Sequence, residues 1–201
     1  MSLTAYTFQP LTPATVRDII CAPGGAEFAK VRLTSAGAGA SVLAERQRLL
    51  QCGMTGFVAY CAGLPVGFVE VMPLATAPLP LSGKDLWVLG CLHVLIPDRP
   101  ADETAVEEAL LRQALALAKD RRARGLVAVA WEHDTHWPQH FFARLGFRTA
   151  RTDEVGGMGR YLMWFPFDPT ASRPEFGPEE KPPPLGHSTT GTVVVEYSAH
   201  C

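Results

Sequence analysis

The chain has 201 residues, 47% of them hydrophobic and 19% charged, with a formal net charge of −2. That is material for one domain with a sizeable core, and the near-neutral balance excludes a broad basic field for nucleic acid or anionic lipid. Cys21, Cys52, Cys61, Cys91 and Cys201 are widely spaced with no CxxC pair, which argues for reduced thiols in a cytoplasmic protein rather than a disulfide framework.

The opening residues lack the charged and apolar regions of a secretory signal, and no apolar run is long enough to span a bilayer. Residues 4–9 alternate weakly and predict a first strand. Thr12-Pro13 offers an N-cap followed by proline at the first helical position, opening a helix that should stop near Pro23-Gly24-Gly25. Between Ala40 and Cys52, Val42, Leu43, Leu49 and Leu50 recur at helical spacing, and Gly53 supplies a stop. The run TGFVAYCAGLPVGFVEVMPL reads as two strands joined by a tight turn at Ala62–Pro65, with a proline-rich loop over 73–83.

Residues 86–96 are almost continuously apolar, as expected of a strand covered on both faces. The next helix should begin near Asp102, bury Val106, Ala109, Leu110, Ala114, Leu117 and Ala118, and end at Gly125. Residues 126–131 form another buried strand, so the unit is a βαβ crossover with parallel strands. A short helix is expected around 138–145, and a last antiparallel pair over 147–165 turning near Gly156-Gly157. The expected domain is therefore 1–167. A proline-rich linker follows over 168–191, leading to a strand-like tail at 192–201. That tail would dock on the main sheet, pair with a second copy to give a homodimer, or be the first strand of a further unit.

The order LWVLGCLHVLIP, long helix, LVAVAW, HFFARLGF, preceded by the hairpin GLPVGFVEV, resembles the GCN5-related N-acetyltransferase (GNAT) family over roughly residues 5–165. The resemblance implies a three-layer α/β (α+β) fold, with a mixed central sheet and helices on both faces. It also implies transfer of an acetyl group from acetyl-CoA to a small-molecule or peptide amine, with neither nucleic acid nor membrane as a partner. A second reading stays open: a catalytically silent protein of the same fold that binds a small ligand or a protein partner.

In the family, a glycine-rich loop before the long helix grips the pyrophosphate with backbone N–H groups. The corresponding segment here, Pro97 to Ala105, has no glycine and contains Pro100, which has no N–H to offer. Asp102 and Glu103 in the first turn, with Glu107 and Glu108 a turn later, suit an empty helix start. They would repel a pyrophosphate by up to about 1 kcal/mol per exposed pair. The resemblance leaves Arg99 and Thr104 as side chains to hold the cofactor, and backbone at Leu92, His93 and Val94 to polarise the thioester carbonyl.

Many members place a tyrosine where this chain has Phe142, and use it to protonate the departing thiolate. Phe142 has no proton to give, so it would only contact the cofactor, and His140, His136 or Cys91 would have to substitute. Glu70 is the candidate general base by type and position. His93 reads either as a core histidine with a polar partner or as a lining of the cleft between splayed central strands.

Residues 131–140 crowd histidines and tryptophans at the carboxyl end of a parallel strand, where open α/β sheets place ligand sites. His136 and His140 are spaced i, i+4, with His133 and Asp134 nearby. Pro138 interrupts that spacing and no glutamate follows His136 in an HExxH order, so no metal is expected here, and the stretch reads either as a substrate-facing wall or as plain loop polarity.

Overall fold

The computed structural model describes residues 3–21, 38–96, 99–132 and 137–178; the expected tail strand lies outside them. In chain order the elements are β1 (Tyr6–Pro10), α1 (Val16–Cys21), α2 (Ala38–Gln51), β2 (Thr55–Cys61), β3 (Leu64–Pro73), β4 (Leu81–Ser82) and β5 (Leu86–Val94). Then come α3 (Pro100–Asp120), β6 (Gly125–Trp131), α4 (Gln139–Arg144), β7 (Arg148–Val155), β8 (Met158–Pro166) and β9 (Glu175–Phe176). The large sheet runs β1-β2-β3-β5-β6-β8-β7, and β4 pairs with β9 beside it. Among the described residues, β5 and β6 are the one pair of strands in the large sheet that runs parallel, as the crossover through α3 requires.

The apolar runs bury both faces of this sheet. On one face Val106, Leu110, Leu111, Ala114 and Ala118 of α3 pack with Val69, Val71, Leu92 and Val94, and Phe141 and Phe142 of α4 join the same core. On the other, Val16 and Ile19 of α1 and Leu49 of α2 pack with Val58, Phe68, Met72 and Val88. No helix among the described residues is long and apolar enough to cross a membrane.

Three boundaries differ from the sequence expectation, each for a local reason. Thr12 and Thr15 first close a turn, with Thr15 Oγ1 accepting from Thr12 N at 2.9 Å, so α1 starts at Val16. The long helix starts at Pro100, because proline suits a first helical position, and ends at Asp120. Its cap is a Schellman turn in which Arg122 takes φ 61° and Ala123 N–H reaches Ala118 O at 3.0 Å. Gly125 instead opens β6, where a Cβ would lie 2.6 Å from Trp164 Nε1.

The first part of the proline-rich segment packs on the body. Arg124 holds the Asp168 carboxylate at 2.9 Å, and that carboxyl is pulled below its usual range by Thr170 and then by Arg124. Arg151 pairs with Glu175, and Glu175–Phe176 complete the small sheet with Leu81–Ser82.

Candidate functional site

The sheet opens at its centre. β5 and β6 pair at Leu86–Gly125, Trp87–Leu126 and Val88–Val127, and beyond that register they pair no further. A bulge between Glu70 and Val71 puts Glu70 opposite Cys91 and Val71 opposite Leu89, leaving Gly90 as the extra residue. The bulge resets the alternation of β5. Leu92 and Val94 face the α3 core, whereas Cys91 faces the α1/α2 core and the His93 ring lies 6.2 Å from Phe68 of that core.

On the α1/α2 face, Glu70 is only 2% exposed and its Oε1 lies 2.6 Å from Arg46 Nε, delivered by α2. Beside the pair, Leu49, Met72, Leu79 and Gly90 enclose a hollow of about 10 Å³, room for about one water. Cys91 is a buried cysteine outside any disulfide, directly across from Glu70. On the same face the Tyr60 hydroxyl donates to Asp18 at 2.6 Å, which ties β2 to α1. Burial and that carboxylate raise the tyrosine pKa. Sequence reasoning named Glu70 and Cys91 but missed Arg46, because a helix residue that pairs across the fold leaves no local signal.

At the start of α3 the carboxylates are already engaged. Glu103 Oε1 accepts the backbone N–H of Ile96 at 2.8 Å, closing the end of β5 onto the helix. Asp102 accepts the Tyr6 hydroxyl at 2.7 Å, and burial together with this carboxylate raises the Tyr6 pKa. Arg99 is exposed at the N-cap position and Thr104 is exposed on the helix.

The third part of the site lies where β6 ends. Trp137 reaches across the opening and donates its indole N–H to Leu92 O at 2.8 Å. Its own carbonyl accepts from Trp131 N at 3.2 Å, and Pro138 bridges Trp131 in the parallel sense. The Trp137 ring stands edge-on to Phe142 at 6.3 Å. Phe142 is fully buried, in edge-on contact with Phe141 and Phe147 at 5.3 Å each. His140 is exposed on α4, a helix of the α3 face, so it is not gathered with Glu70 and Cys91. His133, Asp134 and His136 lie outside the described residues, and among the described residues no three metal-ligating side chains cluster.

No family model and no curated protein matches the sequence. Solved structures do match in shape. A GNAT-family protein of Desulfovibrio desulfuricans aligns at TM-score 0.57 and 18% identity, covering 81% of this chain and 99% of that one. The aminoglycoside 6'-N-acetyltransferase of Enterococcus faecium aligns at 0.58 and 13%, over 81% of this chain and 98% of that one. A GNAT-family acetyltransferase of Brucella melitensis, solved with acetyl-CoA, aligns at 0.51 and 18%, over 82% and 89%. The fold is therefore the GNAT acetyltransferase fold, a three-layer arrangement around a mixed sheet.

Proposed function

We propose that the chain is an N-acetyltransferase that moves an acetyl group from acetyl-CoA to the amine of a small molecule or peptide in the cytoplasm. The observation that carries this reading is the divergence of β5 from β6 within a fold whose Brucella counterpart holds acetyl-CoA. The Enterococcus counterpart acts on an aminoglycoside, which supports an amine on a small molecule as the acceptor.

Acetyl transfer needs a proton taken from the amine, a polarised carbonyl, and a proton for the departing sulfur. Glu70 is the carboxylate for the first task, reaching the amine through a water beside Arg46. The backbone of Leu92, His93 and Val94, on the part of β5 that no longer pairs with β6, is the proposed polariser for the second. Cys91 and His140 are the proton donors proposed for the third, and Arg99 and Thr104 the exposed side chains for the phosphates.

In the conformation described, two backbone groups that acetyl-CoA would seek are already engaged. Leu92 O is bonded to Trp137, and the Ile96 N–H that an anion would seek is held by Glu103. Binding on this reading is weak. The test is incubation of the whole chain with radiolabelled acetyl-CoA and an aminoglycoside, a polyamine and a short peptide in turn. An acetylated product from at least one amine is expected; no product from any of them would contradict the reading.

The second reading is a silent protein of the same fold. It is favoured by Phe142, fully buried and without a hydroxyl, and by the carboxylates engaged at the start of α3.

A further inference from the structure

Strands that part leave unpaired edges, and buried backbone groups need partners. The parting of β5 and β6 beyond Val88 and Val127 creates such edges on both sides of the opening. One residue answers both. The Trp137 carbonyl takes the Trp131 N–H on the β6 side, and the Trp137 indole N–H takes the Leu92 carbonyl on the β5 side. With Pro138 bridged to Trp131, residues 137 and 138 behave as a stub of strand laid against β6.

The indole also closes the opening by bulk. It packs against both the α3-side core and the α1/α2-side core while remaining half-buried, so it sits at a mouth rather than deep inside. Two hollows among the described residues lie elsewhere: the small one beside Arg46 and Glu70, and an open groove of about 580 Å³ lined by Leu11, Leu50, Met54 and Arg121. The backbone of Trp137 has φ 38°, a left-handed conformation that bulky residues rarely adopt. A residue needed only as apolar filling would require neither that backbone nor a hydrogen bond to a strand carbonyl.

We propose that Trp137 is an internal occupant of the cleft between β5 and β6, and that a slender ligand bearing secondary amides enters only by displacing its indole from Leu92 O. Leu92 O accepts one N–H donor in the closed state, and a ligand amide offers the same donor in an extended chain, as a peptide does when it adds to a strand edge. The inference deepens the acetyltransferase reading and rests on it for the ligand's chemistry, the pantetheine arm of CoA. Leu92 O could accept a second donor, so it is the bulk of the indole, held there by its hydrogen bond, that must leave before the ligand enters. The apparent affinity of the natural chain is therefore reduced by the fraction of molecules in which the indole has left.

The test uses the whole chain and pantetheine, which has the amides but no pyrophosphate, so the carboxylates of α3 do not enter. Calorimetry compares the natural chain with Trp137→Ala and Trp137→Phe. The alanine variant, with the slot empty, should bind on the order of tenfold more tightly. The phenylalanine variant, which keeps a ring but lacks the N–H, should gain less.

In the natural chain the Trp137 indole proton, identified by its absence in Trp137→Phe, should be protected from solvent exchange and lose that protection on adding pantetheine. This second measurement decides the matter should Trp137→Ala fail to fold. The proposal is overturned by a folded alanine variant that binds no better than the natural chain. It is equally overturned by pantetheine binding to neither protein, or by binding that leaves the indole protected. Tighter pantetheine binding by the variant with no acetyl transfer to any amine would keep this inference and remove the acetyltransferase reading. Transfer by the natural chain with the indole protected throughout would do the reverse.

Discussion

Glu107 lies one turn beyond Glu103 on α3, and burial together with that second carboxylate pushes its carboxyl up to about 7. The folded-state value is above the unfolded one, so the folded protein keeps a proton that the unfolded chain releases. Stability from this group therefore falls as pH rises from about 4.5 through 7 and stays low above it. Glu107→Gln should raise stability at pH 8 by about 1–2 kcal/mol after allowance for solvent screening, and change little at pH 4. Urea denaturation at the two pH values checks it; a gain of equal size at both would refute the cause assigned.

The Arg46–Glu70 pair behaves differently because both partners are buried. Arg46→Met should cost about 3–5 kcal/mol by stranding a buried carboxylate, whereas Arg46→Met with Glu70→Leu should cost much less. Urea midpoints of the two variants separate these outcomes. Glu70 was legible in the sequence as a carboxylate in an apolar strand, but its partner was not, since nothing in GFVEVMP points to α2.

At the scale of elements, the hairpin, the long helix and the parallel crossover were all readable from hydrophobic period and turn residues. The cap of α3 was not. Gly125 was the expected stop, yet the left-handed position fell to Arg122, because Gly125 is needed where β6 passes Trp164. Arg122→Gly should therefore stabilise the chain by about 0.5–1 kcal/mol by relieving a side chain from φ 61°. An unchanged or lowered thermal midpoint would contradict that.

The start of α3 carries a second expectation. Glu103 ties Ile96 N–H to the helix, so Glu103→Ala should lose about 1 kcal/mol of stability. Replacing Asp102 and Glu103 together with glycine should raise affinity for acetyl-CoA while leaving affinity for pantetheine unchanged, as titration with each would show. The acidity of this turn was plain in the sequence. Its engagement with Tyr6 and Ile96 depends on how β1 and β5 approach the helix, which sequence spacing does not encode.

For the molecule as a whole, the strand–helix order over residues 5–165 led to the correct class of fold, a mixed sheet with helices on both faces, because a parallel βαβ unit and two hairpins leave few ways to assemble it. The boundary at 167 came from composition alone. Residues 168–178 hold the body through Arg124, Arg151 and the β4–β9 pairing. A chain ended after residue 178 should accordingly melt higher than one ended after 167, by a few degrees. Equal midpoints would mean that these contacts contribute nothing.

A GNAT fold whose opening between β5 and β6 is filled by Trp137 should still take up acetyl-CoA, but weakly, and calorimetric titration of the natural chain with acetyl-CoA decides it. Saturable but weak binding is expected, with a dissociation constant on the order of 0.1–1 mM. Low-micromolar binding would contradict the closed cleft, and no heat at several millimolar would contradict the acetyltransferase reading itself.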